Sequence, residues 1–288
     1  MAKKKSIAEF DVYGLSMDYL LVESDSLMPI PPTSFGGSGT GISWSTTDAG
    51  TGIRLTTTAP ENDFQGAGCR IAADLRSLND QAEELLAEMF LPSGGHPFAR
   101  AFDAGPSANG SKADLFGPRN AGELWTSGAT IEVPIGDEQG FGRLHTSVRM
   151  VLPLIPAISA ASPFLDGKWA SALSPRLFAM IDKTPGVSEL TGPFIPEAAL
   201  DQADYYRIVL EPIARVLADR DLSEHIDYHL MNQRAAVAWF DRGTIAINVA
   251  DVQECPATDA AVAEMTVAVI NAMKEGRWVS NYLQRAWH

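Results

Sequence analysis

The sequence predicts an α+β domain in which an antiparallel sheet is backed by helices. Short segments rich in strand-forming residues are separated by longer segments with helical periodicity. There is no regular alternation of strand and helix that would build a parallel sheet, and no glycine-rich nucleotide-binding fingerprint. With 288 residues, of which 45% are hydrophobic, the chain can build one sizeable core. We expect a flexible tail over residues 1–10 and a single domain over residues 11–288.

The first half of the chain carries three predicted strands and one predicted helix. Strand-forming residues occupy Gly14–Val22, Gly50–Pro60 and Ser127–Gly136. Leucines at near-helical spacing predict a helix over Asp74–Phe90, which ends at a glycine-rich turn. Residues 99–120 have the composition of a loop, and a loop of that length is either functional or disordered.

The second half is predicted to be mostly helical, with a hairpin near its end. Phe141–Leu165 reads as one long helix with proline interruptions, and Asp201–Leu222 reads as another. The composition of Met231–Val249 predicts two strands of a hairpin that turns at an Asp-Arg-Gly segment. An acidic elbow follows, and its residues Asp251 and Glu254 are expected to cap the helix that comes after it, because acidic groups favour helix N-termini.

Charge and cysteine content exclude several classes of function. The 36 acidic residues against 22 basic ones give a net charge of −14, which repels nucleic acid and anionic membranes. The basic run near the N-terminus is not followed by an apolar stretch of signal-peptide length, and the most apolar stretch, Met150–Leu165, is too short to span a bilayer. Cys69 and Cys255 are too few for a disulfide framework and lack metal-ligand spacing, so we expect a cytoplasmic protein.

Four stretches, in family order along the chain, resemble the proteobacterial branch of the glutamate–cysteine ligase family. They are Leu91–Phe98, Gly140–Gly167, Thr191–Glu197 and Phe240–Asp259. Members of that family are ATP-dependent carboxylate–amine ligases with a fold similar to the catalytic domain of glutamine synthetase. The resemblance implies a curved antiparallel sheet with helices on its convex side and with Mg²⁺ and ATP on its concave face. It also implies that a carboxylate is activated as an acyl phosphate, which an amine then attacks.

On the first two strands, the residues at the family's ligand positions depart from its pattern. The family carries two glutamates at alternate positions of the first strand, where this chain has Ser16 and Asp18. A glutamate of the second strand is replaced by Arg54. A guanidinium repels a divalent cation by an energy on the order of a few kcal/mol at ~4 Å if the effective dielectric constant is about 20. We expect Arg54 to pair with Asp18, with Glu132 or with both.

The later strands depart from the family in the same way. Thr130 and Glu132 stand where the family has histidine and asparagine. Ala246 and Asn248 stand where it has glutamate and arginine. Alanine offers no ligand atom at all, so the resemblance covers the scaffold more fully than it covers the site.

Seven residues are the candidate site residues. If the chain is active, catalytic roles fall to Asp18, Arg54 and Glu132, of which Asp18 and Glu132 are the candidate Mg²⁺ ligands. The candidate contacts to ATP are His96, Arg234, Arg242 and Asn248.

Structural alternatives stand beside these roles. The two carboxylates can form an ion pair with Arg54 across neighbouring strands. His96 can be an ordinary hydrogen-bonded residue of its turn, and Arg234 and Arg242 can pair with the acidic surface. His145, in a long apolar helix, is expected to lie on a helix face and to have no chemical role.

The sequence leaves three functions open. The first is a degenerate, non-catalytic homologue that acts as a structural or regulatory partner of an active ligase, as a homo-oligomer or together with a homologous subunit. The second is an active ligase with a remodelled site, which would need Mg²⁺, ATP and a small amino acid substrate. The third is a small-molecule binding protein that uses the same cleft without turnover.

Overall fold

The computed structural model describes most of the chain. The described residues are 13–28, 30, 42–47, 52–58, 63–86, 88–98, 126–136, 138–165, 167–169, 172, 174, 176–177, 192–219 and 231–286. The predicted tail over residues 1–10 and the predicted loop over residues 99–120 lie outside them. The assignment of residues 11–288 to one domain therefore stays a prediction.

An antiparallel sheet of seven strands forms the centre of the described chain. The strands are β1 (Gly14–Glu23), β2 (Ile42–Thr46), β3 (Gly52–Thr57), β4 (Glu88–Leu91), β5 (Gly128–Pro134), β8 (Ala236–Trp239) and β9 (Thr244–Asp251). Their order is β2-β3-β1-β5-β9-β8, and β4 pairs with the second half of β1 beside β5. Two short strands, β6 (Phe164–Leu165) and β7 (Lys168–Trp169), form a separate hairpin.

Helices account for most of the remaining described residues. They are α1 (Phe64–Leu86), α2 (Glu138–Val151), α3 (Ile155–Ser159), α4 (Gln202–Tyr205), a π-helical segment (Tyr206–Leu210), α5 (Glu211–Asp219), α6 (Pro256–Lys274) and α7 (Asn281–Ala286). Helix α6 packs against α1 and α2, and α7 packs against α2. No helix in the described ranges is long and apolar enough to cross a membrane.

The two faces of the sheet differ in polarity. Along β1, Leu15, Met17 and Tyr19 are fully buried in the same apolar core as the helices. Ser16 and Asp18 point to the opposite face, because alternate side chains of a strand point in opposite directions. The α+β class and the antiparallel sheet are confirmed, whereas the likeness to the catalytic domain of glutamine synthetase stays a prediction.

The long helix predicted over Phe141–Leu165 was wrong. Helix α2 ends at Val151, a turn containing Pro153 follows, and α3 begins just before Pro156. Proline lacks the amide hydrogen that a helix interior needs, although it fits the first turn of a new helix. The end of the predicted helix is instead strand β6, so the prolines break the segment rather than only bending it.

Helix α1 begins ten residues before the predicted start and ends four residues before the predicted end. Asp63 caps its N-terminus, since its side chain accepts a hydrogen bond of 2.9 Å from the amide of Gly66. The residues after α1 form β4, which pairs with β1. Strands β2 and β4 were not predicted, and both are short.

Candidate functional site

The polar face of the sheet gathers the strand positions that the sequence singled out. We use this name for the side of β1, β3, β5 and β9 that faces away from the apolar core. Its residues are Ser16, Asp18, Arg54, Thr56, Thr130, Glu132, Ala246 and Asn248. Antiparallel register places Asp18 opposite Arg54, Ser16 between Thr56 and Thr130, and Glu132 opposite Ala246.

Arg54 forms a two-pronged ion pair with Asp18. Its Nε donates to Asp18 Oδ1 at 2.7 Å and its Nη2 donates to Asp18 Oδ2 at 3.0 Å. The side chains are 33% and 14% exposed, respectively, so the pair is half-buried. Beside it, the Thr56 hydroxyl donates to the Ser16 hydroxyl at 3.0 Å. The predicted pairing of Arg54 with Asp18 is confirmed, and it engages both oxygens of that carboxylate.

Glu132 is held more loosely, and by other residues. Its Oε1 lies 3.8 Å from Nη1 of Arg242, and its Oε2 accepts a hydrogen bond of 3.4 Å from the Thr244 hydroxyl. The Arg242 guanidinium also lies over the Trp239 ring, 4.3 Å from the ring centroid. Glu132 can lie flat across β1 because Gly14 faces it, and a Cβ at that position would stand 3.1 Å from Glu132 Cβ.

Asn248 bonds within the sheet as well. The register between β5 and β9 shifts between Ala129 and Ile131, as in a β-bulge. At this irregularity the Thr130 hydroxyl donates to Asn248 Oδ1 at 3.0 Å. Neighbouring Ala246 is buried and has no polar side-chain atom. The β9 positions at which the resemblance implies ligands thus contribute one amide, whose oxygen is already hydrogen-bonded.

The side chains of the polar face do not fit a Mg²⁺ ion held by carboxylates. Mg²⁺ requires an octahedral set of oxygen ligands, several of which can be water, with carboxylates supplying charge. Both oxygens of Asp18 are bound by Arg54, and the described part of the chain contains no group of three or more His, Cys, Asp or Glu side chains placed to hold a metal. We therefore assign no step to a metal-bound nucleotide on this face.

His96 is fully buried, with both ring nitrogens used inside the protein. Its Nε2 lies 2.6 Å from the Leu27 carbonyl oxygen and donates to it, and its Nδ1 accepts from the amide of Phe98 at 3.0 Å. Burial lowers the pKa of His96, which keeps the ring neutral and suits one donor and one acceptor nitrogen. These contacts tie the turn after β4 to the turn after β1.

Arg234 lies with the helix layer and not with the polar face. Its side chain is 2% exposed, and its Nε and Nη2 donate to the two oxygens of Glu197, both at 2.6 Å. Its Nη1 donates to Asn232 Oδ1, and Asn232 in turn donates to the buried hydroxyl of Tyr205. Gly192 leaves the space that the guanidinium occupies. The predicted contact to ATP would require this buried pair to open.

The elbow residue Asp251 does not cap α6, the helix that follows it, so that prediction was wrong. Asp251 is 1% exposed and accepts hydrogen bonds from Arg176 Nε at 2.7 Å, Ser162 Oγ at 2.8 Å and Ser174 Oγ at 3.0 Å. Gly94 passes so close that a Cβ there would overlap the carboxylate. Arg176 is 75 positions away in the chain, so no local pattern could have indicated the pair.

A different acidic residue serves the start of α6. Asp259 Oδ1 accepts a hydrogen bond of 3.0 Å from the amide of Gln253, whereas Glu254 is exposed. The other carboxylate oxygen of Asp259 is buried without a hydrogen-bond partner. Burial raises the pKa of Asp259 to about 7. Sequence patterns could not indicate this burial, because a single aspartate in the first turn of a helix is usually exposed.

Comparison with known proteins agrees with this scaffold. Residues 56–283 match the profile of glutamate-cysteine ligase family 2. A protein of Archaeoglobus fulgidus, described only as uncharacterized, is 28% identical over 209 residues, which are 69% of this chain and 56% of that protein. The chain therefore spans little more than half of the archaeal protein.

A solved structure extends the comparison to three dimensions. The crystal structure of a bifunctional glutathione synthetase from Pasteurella multocida matches 96% of this chain and 40% of that protein, with a TM-score of 0.61 and 13% identity. At that identity the likeness concerns the fold alone. The family profile, in contrast, covers most of the sequence, so this chain belongs to glutamate-cysteine ligase family 2.

Proposed function

We propose that this chain is a carboxylate–amine ligase-like protein that has lost catalysis and acts as a structural or regulatory partner of an active ligase. The observation that carries the proposal is the Arg54–Asp18 pair. It places a fixed positive charge, supplied by the protein, where the family resemblance implies a metal ion. Family membership supports the ligase-like scaffold, and the altered polar face supports the loss of chemistry.

Electrostatics supports the same conclusion. A guanidinium bound by two hydrogen bonds neutralises Asp18, so that carboxylate no longer attracts a cation strongly. A Mg²⁺ ion would have to displace Arg54 and then remain near it, against a repulsion on the order of a few kcal/mol. Ser16 and Ala246 carry no negative charge that would offset this repulsion.

An active ligase with a remodelled site is the second candidate, and Glu132 favours it. This carboxylate is 26% exposed and its cationic partner is 3.8 Å away, beyond hydrogen-bond length, so it remains open to a ligand. In such an enzyme Arg54 would bind a phosphate as arginine forks do, with Asp18 orienting it. A protein that binds a small molecule without converting it would use the same side chains, Arg54 and Glu132.

Phosphate release separates the two candidates. The chain is incubated with ATP, Mg²⁺ and mixtures of amino acids, alongside the Glu132→Gln variant, which keeps the shape of the side chain and removes its charge. We expect equal background release from both proteins. Release by the wild type that requires amino acids and disappears in the variant would establish an active ligase and overturn the proposal.

The partner role has its own test. If the chain is conserved without catalytic activity, the simplest reason is that it binds another protein. We therefore expect a homo-oligomer or a complex with a homologous ligase subunit. Light scattering after size-exclusion chromatography, with the chain alone and mixed with an intact family member, measures this directly. A strict monomer that leaves the mass of the ligase unchanged would contradict the partner role.

A further inference from the structure

His145 is a buried imidazole with no hydrogen-bond partner of ordinary geometry. It lies in α2 and is 1% exposed, and neither ring nitrogen makes such a bond, although the Ala199 carbonyl lies near enough to favour the protonated form slightly. Its ring stacks on Phe141, with centroids 5.3 Å apart, and meets the ring of Tyr205 edge-on at 5.5 Å. Buried polar atoms are rarely left without partners, so this ring requires an explanation.

The chain that leads into α4 closes over this ring. Gly142, one turn before His145, lets the backbone of Leu200 press directly on α2, and a Cβ at position 142 would overlap the Leu200 carbonyl oxygen. Tyr205 is anchored further on, because its hydroxyl accepts hydrogen bonds of 3.1 Å from Asn232 and from the amide of Ala238. The π-helical segment Tyr206–Leu210 follows at once, and π-helical turns are rare and frequently lie at functional positions.

The ionisable groups around His145 oppose a second positive charge. Arg149 lies one helical turn further along α2, and its Nε donates to the Pro196 carbonyl oxygen at 2.7 Å. Glu197, a carboxylate near Arg149 and Tyr205, is already paired with Arg234. On α4, Tyr205 is neutral, and burial raises the pKa of its hydroxyl. Burial, with Arg149 adding to it, lowers the pKa of His145 to about 3.

We propose that His145 is an acid-sensitive latch whose protonation releases residues 199–210 from α2. An imidazolium needs water or a counter-charge, whereas the closed ring is almost fully buried and has no hydrogen-bonded carboxylate among the described residues. Separation of Ala199 and Leu200 from α2 admits water, and the π-helical segment is the part of the helix that can rearrange. This separation breaks the contacts of Tyr205 with the β8–β9 hairpin and with Asn232 before it, and it loosens the neighbouring Glu197–Arg234 pair.

Hydrogen exchange read by mass spectrometry tests the latch in the full chain. After correction for the intrinsic pH dependence of exchange, peptides covering residues 199–210 should open about thirtyfold more at pH 5.0 than at pH 7.5, the ratio for a pKa that changes from 6.5 to about 3. In the His145→Phe variant, which keeps an aromatic ring and cannot be protonated, the change should be less than about twofold. The buried Asp259 lies in α6, so its own titration would appear in other peptides.

Two outcomes would overturn the latch. One is equal pH dependence of residues 199–210 in the wild type and in His145→Phe. The other needs no variant: ring-proton nuclear magnetic resonance of the wild type would show His145 titrating near its ordinary pKa while those residues stay protected. If the latch exists, the ring signal stays that of the neutral form until the segment opens.

Discussion

Arg54 and Asp18 are direct cross-strand partners on a half-buried face, which makes their ion pair stronger than an exposed one and weaker than a buried one. We expect Arg54→Ala to lower the free energy of unfolding by about 1 kcal/mol, because Asp18 keeps its charge and loses both donors. Arg54→Lys, which keeps the charge without the fork, should lose less. Urea unfolding measures both. A stability of Arg54→Ala equal to that of the wild type would show that the pair is not formed in solution.

The raised pKa of Asp259 predicts that the stability of the protein falls as the pH rises. Its pKa is 3.8 in an unfolded chain and about 7 in the fold, so its contribution to stability is full below about pH 4 and is lost as the pH rises through 7. Asp259→Asn should therefore be more stable than the wild type at pH 8, by on the order of 1 to 3 kcal/mol, and the difference should shrink towards pH 4. Thermal unfolding across this range measures it.

The neighbouring Glu254→Gln variant is the control for Asp259. It removes an equal charge from an exposed position in the same elbow. A similar gain at pH 8 in both variants would mean that net charge, and not burial, produces the effect.

At the site, sequence reasoning identified the residues whose positions depend only on strand alternation. Asp18, Arg54 and Glu132 share a face because each strand exposes every second residue. Partners could not be assigned so simply, since Glu132 meets Arg242 from the β8–β9 turn. Asp251 was misread for the same reason: a buried partner far away in the chain leaves no trace in the local pattern.

At the scale of elements, the contact between α2 and the chain before α4 depends on a glycine. We expect Gly142→Ala to destabilise the protein by about 2 kcal/mol or more, because the new methyl group meets a backbone carbonyl that cannot turn away. Gly66→Ala in α1 is the matched control. There the methyl group meets the ends of the flexible Asp63 and Arg70 side chains, and alanine favours helix, so we expect a smaller loss than at Gly142, part of it from displacing the Asp63 cap.

Chemical denaturation of the two glycine variants measures this contrast. Equal effects at Gly142 and Gly66 would mean that α2 and the Leu200 backbone are less close than described. That result would also mean that the Leu200 backbone covers His145 less tightly than the proposed latch requires.

The elements that sequence reasoning located correctly are those with a strong local signal. Apolar and polar residues alternate clearly along strands β1, β3 and β5. The hairpin of β8 and β9 turns at the Asp-Arg-Gly segment, as predicted. Strands β2 and β4 are short, and their pairing with β3 and β1 defines them more than their composition does. The break at Pro153 has a local cause in the proline, which the helical period of the apolar residues hides, and that period equally cannot distinguish the π-helical segment from an α-helix.

At the scale of the whole molecule, the chain retains buried connections and lacks a cluster of metal-binding carboxylates on its described polar face. The Asp251–Arg176 and Glu197–Arg234 pairs join segments that are distant in sequence, and removing one partner of such a pair is costly. Selection for structure alone explains these pairs. Among the described residues, the family's scaffold is kept without a cluster of side chains placed to hold a metal.

Calorimetric titration of the full chain with ATP in the presence of Mg²⁺ tests this claim most directly. The variant that restores the family pattern at Ser16, Arg54, Ala246 and Asn248 together serves as the positive control, because a hard cation needs several oxygens at once. We predict weak or absent binding by the wild type and chelator-sensitive binding by the restored variant. Micromolar binding of ATP by the wild type that disappears when Mg²⁺ is chelated would contradict the account.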